Sequence, residues 1–98
     1  MVISRYEFTA TPSLGTFTEV ILQQPGIIKQ IYLSPATSST TFDFQVLDEN
    51  SRVIYEMTDC TGRTNELIEL PVYSNLSITV SNASANELFT GLIASRTS

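Results

Sequence analysis

Residues 41–57 read TFDFQVLDENSRVIYEM. Phe42, Phe44 and Val46 alternate with Asp43 and Gln45, the period of a strand with one face in a core and one in water. Asp48-Glu-Asn-Ser51 is turn chemistry, because short polar side chains bond their own backbone. From Arg52 to Met57 alternation returns, and Val53, Tyr55 and Met57 are expected on one face. The stretch therefore predicts a β-hairpin with a loop of about four residues.

The same pattern extends in both directions. Upstream, strands are expected at Ile3–Ala10, Thr16–Gln23 and Ile27–Ser34, separated by Thr11-Pro-Ser-Leu-Gly15 and by Gln24-Pro-Gly26. In the third, Ile27, Ile31 and Leu33 fall on one face and Ile28 and Tyr32 on the other, so burial on both faces is expected. Downstream, strands are expected at Glu66–Leu70, stopped by Pro71, at Asn75–Val80 and at Glu87–Ser95. One helical turn fits within Ala83–Phe89. Eight short strands with turn signals between them predict an all-β fold, an antiparallel β-sandwich of Ig-like or jelly-roll type. At 98 residues the chain is a single domain, 1–98.

Composition narrows the function. The formal charge is −5, and the bases Arg5, Lys29, Arg52, Arg63 and Arg96 are scattered along the chain. Phosphate-backbone binding needs many Lys and Arg contacts, so neither nucleic acid nor an anionic membrane is an expected partner. No apolar run approaches the ~18 residues of a membrane span. The start MVISRYEF lacks a charged segment followed by an apolar one, so synthesis in the host cytoplasm without a signal peptide is expected. Ser and Thr form about a quarter of the chain, well above average usage.

Catalytic chemistry finds little support. The chain has no histidine and one cysteine, which removes Ser-His and Cys-His nucleophiles and the usual zinc sites. The stretch Thr58–Glu66, TDCTGRTNE, holds Cys60 and Arg63. A phosphatase-type loop needs a wider cysteine-to-arginine spacing. Asp59 beside Cys60 raises the thiol pKa, the wrong direction for a nucleophile. The stretch is read as a loop turned by Thr61-Gly62 between two strands. Asp48-Glu49-Asn50 lacks the glycine and distal glutamate of a calcium loop and is read as a turn. The reading is therefore a non-enzymatic protein with no catalytic residue, cofactor or metal ligand. Three residues are candidates for partner contact: Arg63, because arginine on an exposed loop suits an interface, and the tyrosines Tyr73 and Tyr6.

From Gly26 onward the chain resembles small β-sandwich virion proteins of tailed bacteriophages. The resemblance rests on GIIKQIYLSP, TTFDFQVLDENSRVIYEM, ELPVYSNLSITVSNAS and ELFTGLIAS. It implies a structural protein of the virion, a capsid decoration (cement) protein bound to the major capsid protein or another virion protein and assembled as a homo-oligomer, often a trimer. A carbohydrate- or receptor-binding module of a tail or fibre is the alternative, and it predicts an exposed aromatic platform.

Overall fold

The computed structural model describes residues 2–21, 26–72 and 75–97. Its strands are β1 (Val2–Ala10), β2 (Phe17–Ile21), β3 (Gly26–Pro35), β4 (Thr41–Leu47), β5 (Val53–Thr61), β6 (Thr64–Val72), β7 (Leu76–Ser81) and β8 (Phe89–Thr97). They form two four-stranded antiparallel sheets, ordered β1-β8-β3-β6 and β2-β7-β4-β5.

The order has a simple origin. β4 pairs with β5, β3 with β6, β2 with β7 and β1 with β8. The chain is thus one long hairpin centred on the Asp48 turn, its successive ladders assigned alternately to the two sheets. Pairings β3–β8 and β4–β7 then close each sheet. This is the double-sheet jelly roll rather than the Ig-like order.

The central turn is held by one carboxylate. Asp48 Oδ1 accepts the backbone N–H groups of Asn50 and Arg52, each at 2.9 Å, and Oδ2 accepts Arg52 Nε at 3.0 Å. The Arg52 N–H bond is the main cause of a lowered Asp48 pKa; partial burial opposes it, and the Asn50 N–H and Arg52 charge reinforce it. The sequence reading of this stretch as a turn agrees with the geometry.

The core lies between the sheets. Phe42, Phe44 and Val46 point into it from β4, as alternation predicts, joined by Ile78 and Val80 of β7, Ile31 and Leu33 of β3, and Phe89 and Ile93 of β8. Phe89 meets Phe42 edge to face at 5.1 Å and Phe17 at 5.6 Å between ring centres, tying β8 of one sheet to β4 and β2 of the other.

Several sequence expectations need correction. In β3 a register shift between Ile28 and Gln30 changes the alternation. Ile28, Ile31 and Leu33 face the core, whereas Ile27 and Tyr32 face outward and are half-buried. A bulge inserts one residue and so moves every later side chain to the other face. In β5 a similar shift between Val46 and Leu47 on the partner strand sends Val53 outward at 49% exposure, while Tyr55 and Met57 pack on the core. β6 continues through Pro71, which pairs with Ile27. An edge strand tolerates proline because its free side needs no N–H. The segment 82–88 forms no helical turn: Asn82 and Asn86 have φ of 56° and 62°, incompatible with one.

Candidate functional site

The stretch Thr58–Glu66 is mostly strand. β5 runs to Thr61 and β6 begins at Thr64, leaving Gly62 and Arg63 to carry the chain from one sheet to the other. Gly62 has φ of 64°, and a Cβ there would stand 2.5 Å from the Ser38 carbonyl oxygen. Its N–H donates to Thr40 O at 2.8 Å. The positive φ favours glycine at this corner, and the close approach of the Ser38 carbonyl requires it.

Cys60 is buried in the core beneath this corner. Burial pushes its thiol pKa up, the Thr64 side chain opposes this through a hydrogen bond, and Asp43, Glu66 and Asp59 add to the rise. Asp59, at φ of 56°, donates its N–H to Asp43 Oδ1 at 2.8 Å, and Asn82 Nδ2 donates to Asp43 Oδ2 at 2.6 Å. These two bonds hold the Asp43 carboxyl below its usual range. The polar groups around Cys60 thus act as braces between β4, β5 and the segment after β7.

The three candidate contact residues are not brought together. Arg63 is exposed on the Gly62 corner, at the start of β6. Tyr6 lies in β1, at the opposite edge of the same sheet. Its ring turns inward toward Phe8, 6.0 Å between centres, and its hydroxyl donates to Glu19 Oε2 at 2.7 Å. That bond is the largest cause of a raised Tyr6 pKa, with burial and the Glu19 charge adding to it. Tyr73 lies outside the described residues.

A different surface gathers contact chemistry. The outward residues of β1-β8-β3-β6 stand in cross-strand rows. One row is Glu7, Leu92, Tyr32 and Asn65, and the next is Arg5, Ala94, Gln30 and Leu67. Beyond them Arg96 pairs with Ile27, which pairs with Pro71. Leu67 is 75% exposed. A shallow groove of about 580 Å³ runs over Tyr32, Leu92, Gln30 and Glu7. A second, of about 670 Å³, is flanked by Arg5, Lys29, Arg96 and Leu67. The β3 bulge falls at Lys29 and presents its ammonium to Glu69 at 2.6 Å.

Sequence distance hid this cluster. Arg5, Lys29 and Arg96 are far apart in the chain, but β8 lies between β1 and β3. Among the described residues, Arg5 and Arg96 take part in no ion pair. The strands of the other sheet contain no lysine or arginine and carry Glu19, Asp43, Glu56 and Asp59. Its outer surface is Ser/Thr-rich, with Thr18 and Thr79 hydroxyls 3.0 Å apart. The two outer faces therefore differ in charge: the first carries Arg5, Lys29 and Arg96 beside Glu7 and Glu69, the second acids without a strand cation, while each exposes an apolar side chain, Leu67 on one and Val20 on the other. Among the described residues no three Cys, Asp or Glu side chains converge as a metal site.

No known family matches the chain, and no curated protein matches it. Solved structures resemble it in fold. The periplasmic g-type lysozyme inhibitor PliG of Aeromonas hydrophila is 15% identical, with a TM-score of 0.48, over 95% of this chain and 84% of that one. The carbohydrate-binding module CBM36, solved with calcium and xylotriose, is 6% identical with a TM-score of 0.47, over 92% and 97%. A tailspike protein 4 domain of bacteriophage CBA120 is 11% identical with a TM-score of 0.42, over 95% of this chain and 19% of that one. At these identities the likeness is one of β-sandwich architecture alone.

Proposed function

We propose that the chain is a non-enzymatic structural protein of a tailed-phage virion, a decoration protein that docks on the capsid surface. The observation that carries this reading is the asymmetry of the two outer faces. The β1-β8-β3-β6 face combines an exposed leucine, a half-buried tyrosine and three cations, offset in part by Glu7 and Glu69, on an acidic chain. Interfaces favour aromatic residues and arginine at their centre and disfavour aspartate and glutamate. An acidic protein surface with apolar knobs is the partner that fits. At short range Arg5 and Arg96 would orient docking, and packing of Leu67, Leu92 and Tyr32 would slow release.

A second reading is favoured by one feature of the same face. Tyr32 stands beside the Gln30–Asn65 amide pair, hydrogen-bonded at 2.7 Å. A ring flanked by amides is the chemistry of a glycan platform, so a carbohydrate-binding module of a tail or fibre remains the alternative. Co-sedimentation with capsids of the encoding phage, run beside a glycan array, separates the two. Capsid binding without glycan binding supports the decoration role. Glycan binding without capsid binding overturns it.

A further inference from the structure

We infer that the free edge of β1 is a two-fold interface with a second copy of this chain, in which β1 pairs antiparallel with itself about Tyr6. The inference goes beyond the proposed docking role and does not depend on it.

An exposed strand edge is a template for another strand, and proteins usually blunt such edges. Three of the four edges here are blunted. β2 spans only five residues. β5 has two register shifts and a left-handed residue, Asp59. β6 contains Pro71 and faces the β3 bulge. β1 is different: it runs nine residues without proline and pairs one to one with β8 from Val2 to Thr97 through to Ala10 and Phe89. It is long, free of register shifts, and unpaired on its outer side among the described residues.

Its sequence is also self-complementary in one register. Joining two sandwiches edge to edge must keep both cores on the same side of the sheet, so the two-fold axis passes through a residue and not between residues. With the axis at Tyr6, Arg5 of each copy stands opposite Glu7 of the other, twice, on the outer face. Both side chains are exposed, and neither has an ion-pair partner among the described residues. Moving the axis to Arg5 sets arginine against arginine, and moving it to Glu7 sets glutamate against glutamate. Either shift also shortens the overlap. Like charges directly opposite destabilise a pair and unlike charges stabilise it. Length and charge therefore select the same register.

The product is a closed, isologous dimer, which differs from the trimer implied by resemblance. Its continuous sheet runs β6-β3-β8-β1 and then the same strands in reverse in the second copy. The axis is perpendicular to that sheet, so both Leu67–Tyr32 faces point the same way. Two copies of one docking face on a rigid platform make attachment bivalent.

Charge reversal tests the register. Sedimentation of the full chain is expected to give a dimer of twice the 10.8 kDa chain mass. Arg5→Glu alone and Glu7→Arg alone each set like charges opposite at both positions and are expected to weaken dimerisation about ten- to a hundredfold. The double variant is expected to restore it. Mixing the two single variants is also expected to restore it, as a heterodimer, because unlike charges then meet at both positions. Circular dichroism confirms that each variant keeps its sheet content. A wild-type chain that stays monomeric across the accessible concentration range overturns the inference. So does a dimer indifferent to the single reversals, or single variants that do not rescue each other on mixing.

Discussion

The Tyr6 hydroxyl donates a 2.7 Å hydrogen bond to Glu19 Oε2, joining β1 of one sheet to β2 of the other. Tyr6→Phe removes the donor and leaves the ring packing on Phe8. The expected cost is about 0.5–1 kcal/mol, that of an ordinary hydrogen bond and less than a buried bond to a charged group, because the pair is only part-buried. The bond raises the Tyr6 pKa above the ordinary tyrosine value, with burial and the Glu19 charge adding to the rise. A raised folded-state pKa means stability that is full below the unfolded value and lost as pH rises through the folded one. Urea unfolding of wild type and Tyr6→Phe should therefore differ at pH 7 and converge as pH rises past the tyrosine range.

The acid limb has the opposite sign. Asp43, Asp48 and Glu69 all have lowered pKa values: Asp43 from the Asp59 and Asn82 bonds, Asp48 mainly from the Arg52 N–H, and Glu69 mainly from Lys29. Their contribution is present above the unfolded carboxylate pKa and lost as pH falls through the folded values. Thermal melts should show a fall in Tm below about pH 4. Asp43→Asn should lower Tm at pH 7 and flatten that fall, which differential scanning calorimetry reads directly.

Phe8 covers Gly91. The two residues are cross-strand partners, and a Cβ on Gly91 would overlap the Phe8 ring. Gly91→Ala is expected to destabilise by about 1–3 kcal/mol, the usual range for overpacking. Phe8→Leu in the Gly91→Ala background should recover part of that loss, measured by urea midpoints. By contrast, Phe89→Ala opens a cavity at the centre of the aromatic cluster and should cost about 3–5 kcal/mol.

Cys60 should behave as a core residue. With the thiol buried and its pKa raised, a thiol reagent should label the native protein only as fast as the strand pair opens. Labelling should become rapid in urea. Rapid labelling of the native chain would place Cys60 at the surface.

Residues 41–47 show why part of the fold was legible. One face of β4 is core and the other polar, so alternation alone gives its bounds and orientation. β3 and β5 show what was not. The shifts at Lys29 and near Ile54 each break the period once, and no residue type marks them. Pro71 looked like a stop, and only its place on an edge strand makes it permissible. Jelly-roll order was hidden because period-two patterns do not say which strands pair. The contact surface was hidden for the same reason: Arg5 lies beside Ala94, and Ala94 beside Gln30, only after the long hairpin folds over.

The β1-β8-β3-β6 outer face is the surface proposed to dock on the virion. The most direct measurement is co-sedimentation with purified capsids of two variants, one altered on each face. Leu67→Asp combined with Arg96→Glu changes the apolar, cationic face. Val20→Asp changes the other, where Val20 is 60% exposed. The expected result is a loss of capsid affinity of about tenfold or more for the first variant, with binding by Val20→Asp equal to wild type. Binding unchanged by the first variant, or lost only in Val20→Asp, would contradict it.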